Sequence, residues 1–440
     1  MDPRRIIGER RMGALQWTAV AICVILNALD GFDVLAITFA APGIAEHWGI
    51  DKAALGVVIS TGLIGMAVGS LALAPLADIV GRRLSTLASL VVMAGGMALS
   101  ATASGVLILC LWRFITGLGI GVLLAAINAV AAEYANDRQR AFAVSVMAIG
   151  YPIGGVVGGS VAAHLLQTHA WPSVFVFGAL VTAFMIIPVL LFVPESIDFL
   201  TTRGKGDVLP RINAILRRMG HPESDALPPR EKAPAVPTAA LFAPHVRRRT
   251  ITIAASYFFH VITFYYLIGW IPALVRDAGF SASDGSSASV WANLGGAIGG
   301  GIFGFISARS GVKPLLLFTM VAGAVAMVWF GFAPHELASM KLAGFIADFF
   351  INAGIVGLYA VMAMAYPASL RATGTGFAIG VGRGGGVLGP IIGGALLQAG
   401  LVPSTVASIM GLGTLCAAVM IWTLPREQTE SAGVAPVAVH

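Results

Sequence analysis

The decapeptide Ala74–Arg83, APLADIVGRR, comes back in altered form 230 residues later as Gly304–Lys313, GFISARSGVK. Each copy sits in a short polar break between two long apolar runs, the second and third in one case and the eighth and ninth in the other. A second echo keeps nearly the same spacing: Gly154-Gly155-Val156-Val157-Gly158 corresponds, 231 residues on, to Gly385-Gly386-Val387-Leu388-Gly389. Two motifs at one offset describe a duplicated chain. If the halves cross a bilayer, they are related by a pseudo-two-fold axis along the membrane normal, with a binding site between them at the midplane.

Composition places the duplication in a membrane. Of the 440 residues, 57% are hydrophobic and 11% are charged, against about 25% charged in an ordinary soluble domain. Apolar runs of about 18 residues or more predict twelve spans: 16–41, 55–76, 84–102, 106–131, 141–165, 171–193, 251–274, 287–308, 314–332, 341–364, 374–399 and 403–424. The expected fold is an all-α integral membrane protein of two pseudo-symmetric six-helix bundles, 1–193 and 251–424. A cytoplasmic linker, 194–250, joins them, and a cytoplasmic tail, 425–440, follows. The linker carries a short helix at Arg211–Met219, turns Pro-rich from Pro222 to Pro237 and reads as a tether that is partly disordered. Cys23, Cys110 and Cys416 all fall in apolar runs without metal-like spacing, so neither a disulfide nor a metal site is expected. The basic start at Arg4, Arg5, Arg10 and Arg11 precedes a run too long and too polar at its centre for a signal peptide.

With the N-terminus inside, 22 of the 27 Lys and Arg residues fall on the cytoplasmic side and three, Lys52, Arg276 and Lys341, on the other. Both termini are therefore expected in the cytoplasm. The formal charge of +6 then reflects topology and contact with anionic lipid, with no nucleic-acid partner implied. The remaining two cations, Arg113 and Arg383, lie inside spans.

Charges at that depth mark candidate sites, because each costs a few kcal/mol or more in hydrocarbon. Asp30-Gly31-Phe32-Asp33 sits in the middle of the first span, its two acids about 60° apart around the axis, with Asn27 and Thr38 extending the polar stripe. Gly31 loosens the helix beside them. The plainer alternative is a buried ion pair that locks the helix to a neighbour. Asp33 and Arg113 lie at similar depths, about 11 Å from the outer boundary at 1.5 Å per residue, and are expected to pair in at least one state. Asp30, nearer the centre, is the first candidate for carrying a proton, coupled to Asp33.

Arg383 stands among glycines in Gly380-Val-Gly-Arg383-Gly-Gly-Gly. A guanidinium grips a carboxylate with two parallel hydrogen bonds, and the glycines leave space for an anion, so Arg383 is the expected substrate anchor. Its alternative is a partner for Asp348 in span 10. His260, Phe264, Tyr265 and Tyr266 in span 7 suit a ring-lined pocket, although an aromatic stripe on a membrane helix also arises from packing alone. Asn128 and Asn352 add hydrogen-bonding capacity or act as helix–helix glue. Asp78, Gly81, Arg82, Arg83 and Glu133 gather at the cytoplasmic face as expected gating residues, with positive-inside charge as the alternative for the arginines.

These residues resemble the major facilitator superfamily over essentially the whole chain. The superfamily's loop signature between helices 2 and 3 is similar at Asp78, Gly81, Arg82 and Arg83, while Ala74 and Ile79 depart from it. Arg113-Phe-Ile-Thr-Gly117-Leu-Gly119-Ile-Gly121 resembles the helix 4 motif, and Gly150-Tyr-Pro-Ile-Gly154 the helix 5 motif. Within the superfamily, DGFD at 30–33, Pro194-Glu195-Ser196, Tyr366-Pro367 with Arg371-Ala372-Thr373-Gly374, and Arg383 resemble the aromatic acid:proton symporter branch. That resemblance implies a bacterial inner-membrane importer of benzoate-like acids together with protons, functional as a monomer and without a cofactor. An importer of non-aromatic acids, or an exporter of hydrophobic compounds, remains compatible with the Gly- and Pro-rich span 5. No G-x-x-x-x-G-K-[ST] loop is present to use ATP. An enzyme would need a nucleophile, metal cluster or cofactor motif at depth, which His164 and His260 do not form, and a sensor would need a folded signalling domain.

Overall fold

A computed structural model describes residues 2–203, 207–227 and 238–424, and all regular structure among them is helical. Among the described residues, twelve helices are long and apolar enough to cross a membrane. They are α1 (Ala14–Trp48), α2 (Lys52–Val80), α3 (Arg82–Ala101), α4 (Val106–Tyr134), α5 (Phe142–Leu165), α6 (Pro172–Phe192), α7 (Pro244–Asp277), α8 (Ala282–Ser307), α9 (Val312–Gly331), α10 (Leu337–Ala365), α11 (Thr373–Gln398) and α12 (Pro403–Trp422). Short helices at Pro3–Glu9, Ile197–Arg203 and Leu209–Met219 flank the first six. The expected tail 425–440, and residues 204–206 and 228–237 of the expected linker, lie outside the described residues.

Two boundaries differ from the sequence reading for physical reasons. Helix α1 was expected to stop at residue 41, before Pro42, but runs through that proline to Trp48. Proline removes one backbone donor from a helix interior, yet Ala40, Ala41 and Ile44 are fully buried, and burial of this face outweighs the lost bond. Helix α2 widens into a π-helical segment at Gly69–Leu73 and tightens to a 3-10 turn at Ala74–Leu76 before its last α-turn. π-Segments of this kind are commonly found at functional sites.

The chain forms two compact units. One contains the chain up to Ala36, Thr61–Gly158 and the stretch from His169 through the region after α6. The other contains Ile37–Ser60, Gly159–Thr168 and the chain from α7 onward.

The duplication is visible inside each unit. Gly81 adopts φ +105° and Gly311, 230 residues on, φ +81°, a backbone region that favours glycine, and each stands immediately before the third helix of its repeat. Two residues past Gly81, Arg83 donates from Nη2 to the carbonyl of Leu190 near the end of α6, at 2.7 Å. Its counterpart Lys313 donates from Nζ to the carbonyl of Trp422 at the end of α12, at 3.1 Å. In both repeats a cation thus satisfies carbonyls left open at a helix C-terminus. The glycine echo has an equally direct cause. A Cβ on Gly154 would lie 1.8 Å from the carbonyl oxygen of Ala28, and one on Gly385 would lie 2.3 Å from that of Phe258. Only glycine lets α5 approach α1, and α11 approach α7, this closely.

The helix Leu209–Met219 buries Ile212, Ile215, Leu216 and Met219, while Arg211, Arg217 and Arg218 stay on its wet side. Gly220, at φ +80°, ends it. His221 then hydrogen-bonds from Nε2 to Oε1 of Gln16 at 2.9 Å, so this part of the expected tether is docked against the start of α1.

Candidate functional site

The polar stripe of α1 is buried: Asn27 is 3% exposed, Asp30 1%, Asp33 0% and Thr38 2%. Asn27 donates from Nδ2 to the carbonyl of Met147 on α5 at 2.8 Å. Gly31 has the carbonyl of Tyr151 against it, 2.2 Å from where a Cβ would stand. The backbone beside the two acids is therefore clamped to α5 through main-chain contact.

Arg113 reaches the acidic segment from α4 and is itself 1% exposed. Its Nη2 donates to the main-chain carbonyl of Asp33 at 2.6 Å, and its Nη1 contacts Sδ of Met97 at 2.9 Å. Its guanidinium also lies 5.5 Å from the ring centre of Phe175. The structure thus brings Arg113 and Asp33 together at one depth, but through a carbonyl and not as the expected carboxylate–guanidinium pair. The charges of Arg113 and Asp30 and the hydroxyl of Thr182 still act on the Asp33 carboxyl group.

A second cluster forms where α2 meets α3. Arg82 binds Asp78 through Nη1 at 2.8 Å and Glu133 through Nη2 at 3.1 Å and Nε at 3.2 Å. Ser196 donates to the other oxygen of Glu133. Oε1 of Glu195 accepts from the backbone amides of Arg82, Arg83 and Ser196 at 2.9, 3.2 and 2.9 Å. A carboxylate at the first amides of α3 is favourably placed for the helix dipole. The Gly81 turn makes room for it, since a Cβ there would stand 2.2 Å from Oε2 of Glu195. The sequence alone assigns Glu195 and Ser196 of Pro194-Glu195-Ser196 no role. The signal available was an acid and a hydroxyl directly after a span, facing the Gly-Arg-Arg break.

On α11, Arg383 is half-buried and makes no ion pair among the described residues. Its glycine neighbours abut aromatic rings of α7. A Cβ on Gly382 would come 2.1 Å from the ring of Tyr257, and one on Gly386 would come 3.0 Å from that of Tyr265. Tyr265 is half-buried, whereas Tyr266 is fully buried with its ring against Gly393. Phe264 is 6% exposed and packs edge-on against Tyr265. Asp348 does not meet Arg383: its carboxylate lies against Gly296 of α8 together with the amide of Asn352. His260 is fully buried with both nitrogens engaged, Nε2 by the carbonyl of Ile351 at 2.8 Å and Nδ1 by Oγ1 of Thr414 at 3.1 Å. Asn128 spends its Nδ2 on the carbonyl of Leu124 in its own helix, at 2.7 Å.

Two ion pairs that the sequence did not suggest join the α1–α2 turn to the end of α7. Arg276 binds Glu46 at 2.9 Å, and Lys52 binds Asp277. They line a cleft of about 470 Å³ with Pro42, Leu55 and Ala273. Lys52 and Arg276 entered the sequence reading only as charges outside the spans.

Twelve spanning helices in two repeats, with acids and arginines buried inside them, define a polytopic membrane transporter. The chain matches the Major Facilitator Superfamily over residues 23–250 and 253–439, and it belongs to that family. It is 29% identical over 428 residues to a gallate transporter of Pseudomonas putida, covering 96% of this chain and 94% of the relative. It is 30% identical over 410 residues to a 4-hydroxybenzoate transporter of Pseudomonas aeruginosa, covering 91% and 90%. A benzoate transport protein of Acinetobacter baylyi is 25% identical over 407 residues, covering 90% and 87%. Among solved structures, a D-xylose–proton symporter superimposes with a TM-score of 0.72 at 16% identity, covering 94% of this chain and 99% of that one. That likeness concerns the fold.

Proposed function

We propose that this chain imports a small aromatic carboxylate of the benzoate or hydroxybenzoate type together with protons, by alternating access. It does so in a bacterial inner membrane, as a monomer with both termini cytoplasmic and without a cofactor. The observation that carries the reading is Arg383: a guanidinium within a spanning helix, free of any ion pair among the described residues, bordered by glycines and by the rings of Tyr257 and Tyr265. Such a cation suits a bidentate grip on a carboxylate, and flanking rings suit stacking on an aromatic body. Gallate, 4-hydroxybenzoate and benzoate, which the similar transporters carry by name, share that chemistry.

In this reading Asp30 takes the proton, with Asp33 coupled to it and Arg113 holding the Asp33 backbone in place. Protonation and anion binding then accompany one another on the outer side, and release follows inside, where the higher pH removes the proton. The Asp78–Arg82–Glu133 cluster with Glu195 acts as a cytoplasmic latch. The Glu46–Arg276 and Lys52–Asp277 pairs act as an outer one, each breaking in the opposite half of the cycle. The division into bundles 1–193 and 251–424 is the frame in which these motions take place.

Equilibrium binding to the purified protein tests the assignment. A panel of benzoate, 4-hydroxybenzoate and aliphatic acids of matched size should show preference for the aromatic members, and Arg383→Ala should lose them all. Preference for the aliphatic acids would leave an organic-acid importer in place of the aromatic one, and binding only of neutral hydrophobic compounds would favour an exporter.

A further inference from the structure

Asp348 on α10 has no part in the cycle described above. It is 1% exposed, its Oδ1 has no hydrogen-bond partner among the described residues, and no ion pair among them includes it. The packing of α8 on α10 fixes where the carboxyl group sits. Gly295 and Gly299 lie against the carbonyls of Phe345 and Phe349, too close to admit any Cβ. Between them, the carboxyl carbon of Asp348 and Nδ2 of Asn352 stand 2.9 and 3.0 Å from where a Cβ on Gly296 would be. The acid fills the gap left by a glycine, with room for a proton and for no larger ligand.

A polar stripe leads to it. Ser286, Ser289, Asn293 and Gly296 follow one another along α8 in steps of three or four residues, which places them on one face of the helix. Ser286 is 0% exposed, Ser289 1% and Asn293 6%, so this polar face is turned into the protein. Asn293 donates from Nδ2 to the carbonyl of Ser289 at 2.8 Å, and Oγ of Ser289, like Oδ1 of Asp348, is buried without a partner among the described residues. The stripe is about 15 Å long at 1.5 Å per residue, and in the proposed topology it starts at the outer end of α8. The elements packed on α10 bring little other charge to this point. Helix α8 carries Asp284 at its outer end and α9 carries Lys313 at its inner end. From α7, His260 is held by the carbonyl of Ile351 and by Thr414, while Tyr257, Tyr265 and Tyr266 lay their rings on glycines of α11. Arg383 of α11 does not meet Asp348.

A carboxylate buried without a cation is costly, and a bound proton removes the cost. Unpartnered polar atoms in a row are what water needs to carry a proton in from the surface. We propose that Asp348 is a second proton-binding residue, loaded from the outer side along the Ser286–Ser289–Asn293 stripe, so that two protons accompany each acid, one on Asp30 and one on Asp348. The inference rests on the functional reading above and deepens it. A monoanion that enters with two protons moves one net positive charge inward per cycle, whereas with one proton it moves none.

Uptake of radiolabelled benzoate into vesicles bearing the full chain, at equal pH on both sides and under an inside-negative potassium diffusion potential, tests it. The unmutated protein should accumulate benzoate by up to about tenfold for each ~59 mV. Asp348→Asn should lose this accumulation and keep the uptake driven by an inward proton gradient. Asn293→Leu, which leaves the acid in place and closes the stripe above it, should slow the approach to the same final level severalfold. If Asp348→Asn yields no folded protein, Asn293→Leu decides, and an unaltered rate would overturn the assignment. Potential-driven accumulation that survives in Asp348→Asn would overturn it as well. Proton-driven uptake by the unmutated protein that ignores the potential would overturn this inference and leave the functional reading standing. Absence of proton-driven uptake of any aromatic acid would remove both.

Discussion

Arg113 donates to the backbone carbonyl of Asp33, 2.6 Å away, although the carboxyl group of the same residue is buried beside it. A side chain that binds a carbonyl holds the helix and leaves the acid available for other work. The separation of the two tasks has a measurable consequence. Arg113→Ala removes the bond to Asp33 and the contacts with Met97 and Phe175, and should destabilise the protein by about 3–5 kcal/mol. Asp33→Asn keeps the carbonyl and should cost roughly half of that or less, while abolishing coupled transport. Thermal unfolding in detergent of both variants and the double mutant checks this. The double should cost about the sum of the two single variants, with coupling near zero, whereas a double no worse than Arg113→Ala alone would mean that the carboxylate is the true partner.

Main-chain contact between α1 and α5 makes Gly154 intolerant of any side chain. Gly154→Ala would put a methyl group 1.8 Å from the carbonyl oxygen of Ala28. A helix must shift to accept it, at a cost of about 1–3 kcal/mol, and Asp30 and Asp33 shift with it. Gly95, which has open space around its Cβ position, should accept alanine with little change. Melting temperatures of the two variants give the comparison.

Glu195 holds the start of α3 by accepting the backbone amides of Arg82 and Arg83. Glu195→Ala leaves those donors open at a helix N-terminus and should cost about 1–2 kcal/mol, as for loss of a strong cap. Glu195→Gln retains an acceptor oxygen and should recover part of the loss. Hydrogen exchange of the amides of Arg82 and Arg83 reads the effect locally.

The ion pairs Lys52–Asp277 and Glu46–Arg276 are partly exposed, so each is worth about 0–1 kcal/mol to folding. In the proposed reading they act as an outer latch. Neutralising Glu46 and Asp277 together should leave the melting temperature nearly unchanged and open the cleft. A cysteine placed at Ala273, in a background lacking Cys23, Cys110 and Cys416, should then react faster with a membrane-impermeant maleimide. An unchanged labelling rate would deny the pairs a latching role.

Burial, and secondarily Arg10, lower the pKa of His221 below its usual 6.5. The folded state therefore binds fewer protons than the unfolded segment below that value. Docking of Leu209–His221 on α1 is fully favourable above pH 6.5 and weakens as the pH falls below it towards the lowered pKa. Protection of the 209–221 amides, measured against their intrinsic exchange rates, should fall as the pH drops below the usual histidine value, and His221→Gln should remove that dependence.

Span number and duplication were legible because hydropathy and repeated motifs are local or periodic signals. Depth arithmetic placed Asp33 level with Arg113 because both helices keep the same rise per residue. It could not choose between a carboxylate and a carbonyl, which lie within a few ångströms on the same residue. The outer ion pairs escaped because nothing in the sequence says that α1 continues through Pro42 and carries Glu46 to Arg276. His260 looked chemical for its type and depth, and only its two hydrogen-bond partners reveal how fully it is engaged in the packing of α7, α10 and α12.

Uptake of radiolabelled 4-hydroxybenzoate into vesicles carrying the purified protein, under an imposed inward proton gradient, tests the central claim most directly. The expected result is accumulation above equilibrium that an uncoupler abolishes, that Arg383→Ala loses entirely, and that Asp30→Asn reduces to gradient-independent exchange. Accumulation that survives the uncoupler, or that Arg383→Ala and Asp30→Asn leave intact, would contradict proton-coupled import through these residues.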